Sequence, residues 1–169
     1  MSTITIPPFL LQPLRMQVFG QMDSRPPDRI IGSIEDPYMH RWHLIDRNRD
    51  GNAYAHRFFR SDDDRAHHDH PWESCSIVLA GSYIEHTIAA GGIHHRVLRS
   101  AGDVIFRGER DAHRIELIPG ELAPVTLFLT GAVVRDWGFH CPDRGWVHWQ
   151  EFTNPADGGA TVGRGCDAE

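Results

Sequence analysis

The sequence predicts an all-β fold, closed into a barrel or a sandwich. Three observations carry this expectation. Short apolar or alternating runs recur through the middle of the chain, such as Ile77-Val78-Leu79-Ala80 and Val125-Thr126-Leu127-Phe128-Leu129-Thr130. Turn signals separate them: Asp50-Gly51, Gly91-Gly92, Gly102-Asp103 and Pro119-Gly120. Helical periodicity is almost absent, and no internal repeat is visible.

Taken in order, residues 1–37 carry Pro7, Pro8, Pro13, Pro26, Pro27 and Pro37 and predict an irregular N-terminal arm, with residues 9–19 able to hold a short helix. Residues 38–45 mix aromatic and apolar side chains and start the strands. Asp46, Asn48, Asp50 and Gly51 imitate a calcium loop, but Arg57 stands where the closing Glu is required, so the segment is read as a turn. Residues 53–60 form a strand with Tyr54, His56, Phe58 and Arg60 on one face and Ala53, Ala55, Arg57 and Phe59 on the other. Further strands are predicted at 82–88, 94–99, 104–106, 113–118, 125–130, 133–140 and 146–152, with a charged loop at 107–111. Residues 154–169 are rich in glycine and lack large apolar side chains, which predicts a disordered tail. The expected organisation is an arm (1–37), one barrel domain (38–153) and a tail (154–169).

The chain of 169 residues suffices for one domain with a sizeable core, and 40% hydrophobic with 24% charged residues is ordinary for a globular protein. A net charge of -6 argues against nucleic acid and against an anionic membrane surface as partners. No apolar run has the length of a membrane span. The N-terminus lacks the basic and apolar regions of a secretory signal. Three cysteines, Cys75, Cys141 and Cys166, are an odd number at irregular spacing and suggest no disulfide framework, so a reducing cytoplasm is the expected compartment.

The chemistry concentrates in Ala66-His67-His68-Asp69-His70-Pro71-Trp72-Glu73-Ser74-Cys75. His68 and His70 are spaced i, i+2, which in an extended strand puts both imidazoles on one face, while His67 points the other way. Two neutral imidazoles on one face are half of a transition-metal or zinc site.

These residues resemble the cupin superfamily. Its first motif, a His-x-His followed by a strand that ends in glycine, is similar to His68-Asp69-His70 with Gly81. Its second motif starts at Gly102 and reaches its histidine at His113, with Gly108 in the proline place and Arg110 in the second glycine place. The resemblance covers about residues 53–130. It implies a single-domain jelly-roll β-barrel with a metal held by His68, His70 and His113. The glutamate ligand usual in the first motif falls on Ser74; Glu73 is one residue off, and Glu85 on the next strand is another possible oxygen ligand. Without either, the set resembles the three-histidine iron site of thiol dioxygenases. Cys75, five residues after His70, then matches the crosslinking cysteine of cysteine dioxygenase, with Tyr54 or Tyr83 as partner; a small buried hydrophobe is the favoured reading of that cysteine.

Arg57 or Arg60 is a candidate anchor for a substrate carboxylate. Glu85 and His86 are candidate acids or bases, against ordinary strand residues. Trp137, Phe139, Trp146 and Trp149 are read as core or an oligomer interface ahead of an aromatic platform, with His140 and His148 as a second polar group. The expected function is a metal-dependent oxygenase acting on a small molecule, with a divalent transition metal: iron first, then zinc, nickel or manganese. The alternatives are a sugar isomerase or epimerase, or a non-catalytic ligand-binding cupin with a structural metal. A homodimer is compatible with the sequence.

Overall fold

The structure, a computed structural model, describes residues 4–62, 66–89 and 91–167. Asp63, Asp64 and Arg65 of the histidine stretch, and Ala90 of the turn before Gly91, lie outside the described residues. The described strands form two antiparallel sheets. One runs β1 (Ile4–Thr5), β9 (Asp103–Arg107), β6 (Ser74–Ala80), β11 (Val125–Thr130), β4 (Asn52–Phe58), β3 (Pro37–His43) and β2 (Arg29–Gly32). The other runs β13 (Gly145–His148), β12 (Gly138–Cys141), β5 (His67–His68), β10 (His113–Leu117), β7 (Ser82–Ala89) and β8 (Ile93–Ser100).

The pairing from β4 to β11 is nested. β4 pairs with β11, β5 with β10, β6 with β9 and β7 with β8. A chain folded back on itself in this way, and then wrapped into two sheets, is a jelly roll. Gly81 makes the tight passage from β6 to β7 at φ +70°, where an added Cβ would meet Leu122 O at 2.7 Å. Between the sheets lie Met39, Phe58, Val78, Tyr83, Ile105 and Ile115.

The N-terminal arm is not irregular. Pro8–Ser24 is a 17-residue helix, α1, with proline at its first position and Pro13 inside it. Leu11, Val18 and Met22 recur at helical spacing and pack with Trp42, Leu79 and Leu127 on the outside of the larger sheet. Pro8 fits a helix start, where its missing N–H has no intrahelical partner to lose. That burial outweighs the bond lost at Pro13, which the proline count had emphasised. β2 and β3 then continue the sheet across the expected domain boundary at residue 37. The predicted last strand is also shorter. It ends at His148, whose ring accepts from Gln150 N at 3.3 Å and caps a short helix, α2 (Trp149–Phe152).

The C-terminal segment, expected to be disordered, folds back as a strap over residues 153–166. Cys141 and Cys166 form a disulfide. Thr153 bridges to Val162, and Gly163 N and Gly165 N each donate to Phe152 O at 3.0 Å. Gly32 N donates to Ala160 O at 3.0 Å, tying the strap to β2. Backbone hydrogen bonds and a covalent tie need no apolar side chains, so composition could not reveal them. The pair also corrects the reading of the cysteines, and removes the ground on which a reducing compartment was expected. Among the described residues, no helix is long and apolar enough to cross a membrane.

Ending the chain after Asn154 is expected to lower the melting temperature by roughly 10 °C. The tie closes a separation of 25 residues, worth about 3 kcal/mol in the chain-entropy account. Thermal denaturation without reductant measures this; an unchanged midpoint would show that the strap contributes nothing.

Candidate metal centre

β5 and β10 are adjacent, with His68 and His113 directly opposed. His70 follows β5 by two residues and turns its ring toward the same point. One ring nitrogen from each of His68, His70 and His113 lies within 4.8 Å of the others. The ring centroids are 5.2, 4.7 and 5.3 Å apart. His70 Nε2 and His113 Nε2 face each other at 3.1 Å. Three imidazoles whose nitrogens converge in this way are a donor set suited to one divalent transition metal.

The surroundings keep two of the rings, those of His70 and His113, neutral. Burial, then the neighbouring His68 and His113, hold His70 well below the ordinary histidine value. Burial and Arg107 hold His113 at about 4. Two carboxylates stand behind the group. Glu85 Oε1 lies 3.3 Å from His113 Nδ1, within ion-pair distance though outside hydrogen-bond geometry. It favours the tautomer with the proton on Nδ1 and a lone pair on Nε2. Asp62 Oδ2 lies 3.7 Å from His68 Nδ1, and is itself held by Ile115 N at 2.7 Å. Carboxylates behind imidazoles orient metal-binding histidines in this manner.

Glu85 therefore stands behind a ring nitrogen and is not part of the convergent set. It is fully buried and accepts from Arg99 Nε at 2.7 Å and Arg107 Nε at 2.9 Å, with a further short contact from Arg107 Nη2. Although burial opposes ionisation, Arg107 and His113 hold its carboxyl well below the usual range. Arg107, expected in a charged loop, is the buried last residue of β9. Glu73 is exposed. Ser74, in the carboxylate place of the motif, is buried with no hydrogen-bond partner for its Oγ among the described residues. Among the described residues, no carboxylate joins the three-histidine group there.

The three histidines open into a cavity of about 530 Å³, a volume suited to a small molecule. Trp72, Phe128, Trp137, Phe139 and Trp149 contribute aromatic walls. Trp137 and Trp149 stack 5.8 Å apart, and Phe139 stacks on Phe152 at 3.6 Å, so much of the aromatic group faces the cavity rather than an interface. Trp146 and His140 instead serve Asp69, through Trp146 Nε1 donating at 3.0 Å and His140 Nε2 at 3.1 Å. Residues 159–162 of the strap form part of the cavity wall.

Arg60 and Arg57 are not among the lining residues. Arg60 sits 3.4 Å from Asp36 and over the Tyr38 ring, while Arg57 lies over Trp42. Arg29, Arg41, Arg47 and Arg107 are the arginines that line the cavity, and Arg107 is held by Glu85; Arg41 differs in its partners. Its Nε donates to His56 Nε2 at 2.9 Å, and no described carboxylate pairs with it. Burial lowers Arg41 to about 10, and burial and Arg41 push His56 well below its ordinary value. Arg29 and Arg47 line the same end. Arg41 and His56 are register partners on β3 and β4, a pairing that alternation on one strand could not reveal. Cys75 alternates with Ser76, which lines the cavity, so its thiol faces away. Cys75 is half-buried rather than buried, and that partial burial raises its thiol.

No protein-family model matches this sequence, and no curated protein does. Among solved structures, a cupin-like protein of Thermotoga maritima is similar at TM-score 0.49 and 18% identity, over 72% of this chain and 88% of that one. A cupin superfamily protein of Desulfitobacterium hafniense is similar at 0.45 and 12%, over 56% and 77% of the two chains. The DMSP lyase DddQ of Ruegeria pomeroyi is similar at 0.46 and 18%, over 63% of this chain and 53% of the lyase. The chain is thus a jelly roll by its own strand order, and the solved structures it is similar to include cupin superfamily proteins.

Proposed function

We propose that the chain is a metal-dependent enzyme, an iron oxygenase acting on a small anionic molecule, with His68, His70 and His113 as its metal ligands. The observation that carries this reading is the convergence of three imidazoles on a cavity, with no carboxylate in their group among the described residues. A divalent iron held there would keep open coordination positions and supply redox chemistry that side chains lack. Glu85 and Asp62 orient the ligands from behind. Arg41 binds the anionic group of the substrate: its Nε is committed to His56, and its Nη groups make no hydrogen bond among the described residues. The half-buried guanidinium, which lies over the Tyr54 ring, is free to pair with an anion in the cavity. The aromatic walls take the apolar part of the substrate and exclude water.

Protein purified without chelator is expected to carry about one iron per chain by elemental analysis. His113→Ala should lose the iron and keep the barrel, whereas His67→Ala should retain it. Dioxygen uptake should depend on a small carboxylate or sulfonate substrate, and Arg41→Met should raise its KM at least about tenfold, as loss of a charge-assisted contact implies. Iron retained in His113→Ala, or tightly held zinc with no dioxygen uptake, would overturn the reading.

A further inference from the structure

A second histidine cluster lies on the opposite face of the same sheet. His67 precedes His68 on β5, so the strand pleat sends it outward while His68 points in. His86 on β7 and His94 on β8 join it. His86 Nδ1 and His94 Nε2 face each other at 2.8 Å, with ring centroids 5.0 Å apart. That spacing falls within the 4.7 to 5.3 Å of the inner group. The other nitrogen of His86, Nε2, lies 2.6 Å from Glu116 Oε2. With its proton donated there, Nδ1 is left as a lone pair turned toward His94. A carboxylate behind an imidazole is again the arrangement that orients a metal ligand.

The third ring is His67. It stands edge-on to His94 at 5.9 Å and to His86 at 6.5 Å. Its exposure is 8%, and its Nε2 is buried with no hydrogen-bond partner among the described residues. An unbonded buried ring nitrogen is unfavourable unless something completes it.

We infer that His67, His86 and His94 form a second divalent-cation site, of the zinc type, on the outer face of the barrel. Imidazole nitrogens are donors that zinc takes readily. None of the three lines the cavity. The site therefore staples β5, β7 and β8 together, and touches no substrate. His94 is exposed and gives the ion its entry. Ligation draws the His67 ring inward toward a Zn–N distance of about 2.0–2.1 Å. Two cations adjoin the site: Arg114 Nη2 is 3.2 Å from His86 Nε2, and Arg96 Nη2 is 3.1 and 3.2 Å from the Glu116 oxygens. Two arginines against one glutamate make this the weaker of the two sites, the first to empty into a chelator.

The test is a zinc titration of chelator-stripped protein, read as bound zinc per chain by elemental analysis after desalting, with circular dichroism as the check on folding. The wild type should bind two zinc ions. His94→Gln, an exposed change that leaves the fold intact, should bind one. His113→Ala should also bind one, and the double variant none. His67→Ala should weaken the outer site at least tenfold and spare the inner one. A His94→Gln protein that binds as much zinc as the wild type would overturn the inference, whatever the count in His113→Ala. Absence of iron or of dioxygen uptake bears only on the oxygenase reading, because the outer count is taken with zinc and without turnover.

Discussion

Glu85→Ala is expected to destabilise the metal-free protein by about 3–5 kcal/mol, a fall in Tm of roughly 10 °C or more. Glu85 is fully buried, and the guanidiniums it holds are nearly so, with Arg99 7% and Arg107 6% exposed. Arg99 Nε and Arg107 Nε donate to its two oxygens, and Arg107 Nη1 continues to Ser76 Oγ at 2.9 Å. Truncation leaves two buried cations facing each other with no anion between them, and each would need to draw water inward or unfold its strand end. Glu85→Gln keeps the shape and one acceptor, so its loss should be smaller. Charge, not volume, is then the cause if the Gln variant also falls by more than about 1 kcal/mol, since an isosteric change of a neutral pair costs less than that. Because Glu85 also stands 3.3 Å from His113 Nδ1, both variants should bind the inner metal more weakly than wild type. Chemical denaturation with metal removed separates the two effects; an Ala variant that loses less than about 1 kcal/mol would show that water already screens the triad.

The barrel was legible because β-structure writes a short-range record. Alternation, apolar runs and glycine turns gave β6, β7 and β11, and Gly81 and Gly102 fall at turns with positive φ. The three inner histidines were legible for a mixed reason: the i, i+2 spacing of His68 and His70 is local, whereas His113 came from the cupin resemblance alone. The rest depended on contacts between segments distant in sequence. Arg41 faces the cavity because β3 lies beside β4, and nothing in the sequence near Arg41 marks it as different from Arg57 or Arg60. Asp62 stands beside His68 because Ile115 N, 53 residues later, holds its carboxylate. The strap holds by backbone bonds and by Cys141–Cys166, which an odd cysteine count hid. α1 was obscured by weighing its prolines above the spacing of Leu11, Val18 and Met22, a helical period that the sequence did contain.

Metal-free protein is expected to lose stability steadily as the pH falls from 7 to 4.5, with most of the loss arising below about pH 6.5. The cause is the set of histidines buried as neutral rings. Burial holds His113 and His67 at about 4, and holds His70 and His56 well below the ordinary value. In the unfolded chain these rings titrate near about 6.5. Between that value and about 4 the unfolded chain binds protons that the folded chain refuses, so acid favours unfolding across this window. Each unit of difference corresponds to about 1.4 kcal/mol, so His113 alone implies a loss of about 2–3 kcal/mol by pH 4.5. Glu85 acts in the same direction in a lower window. Its folded carboxyl is held well below its ordinary value, so its contribution is intact above about 4.5 and is lost only as the pH falls further. Bound metal should add to the loss through the upper window, because the ligands must be deprotonated and proton binding competes with the ion. The measurement is the denaturant midpoint at pH 7.5, 6.5, 5.5 and 4.5, with and without metal. His56→Asn should flatten the metal-free curve, since it removes a ring that titrates in the unfolded state alone. A midpoint that stays constant from pH 7.5 to 5 would mean that these rings accept protons inside the folded barrel, and that water reaches the imidazoles more freely than their burial implies.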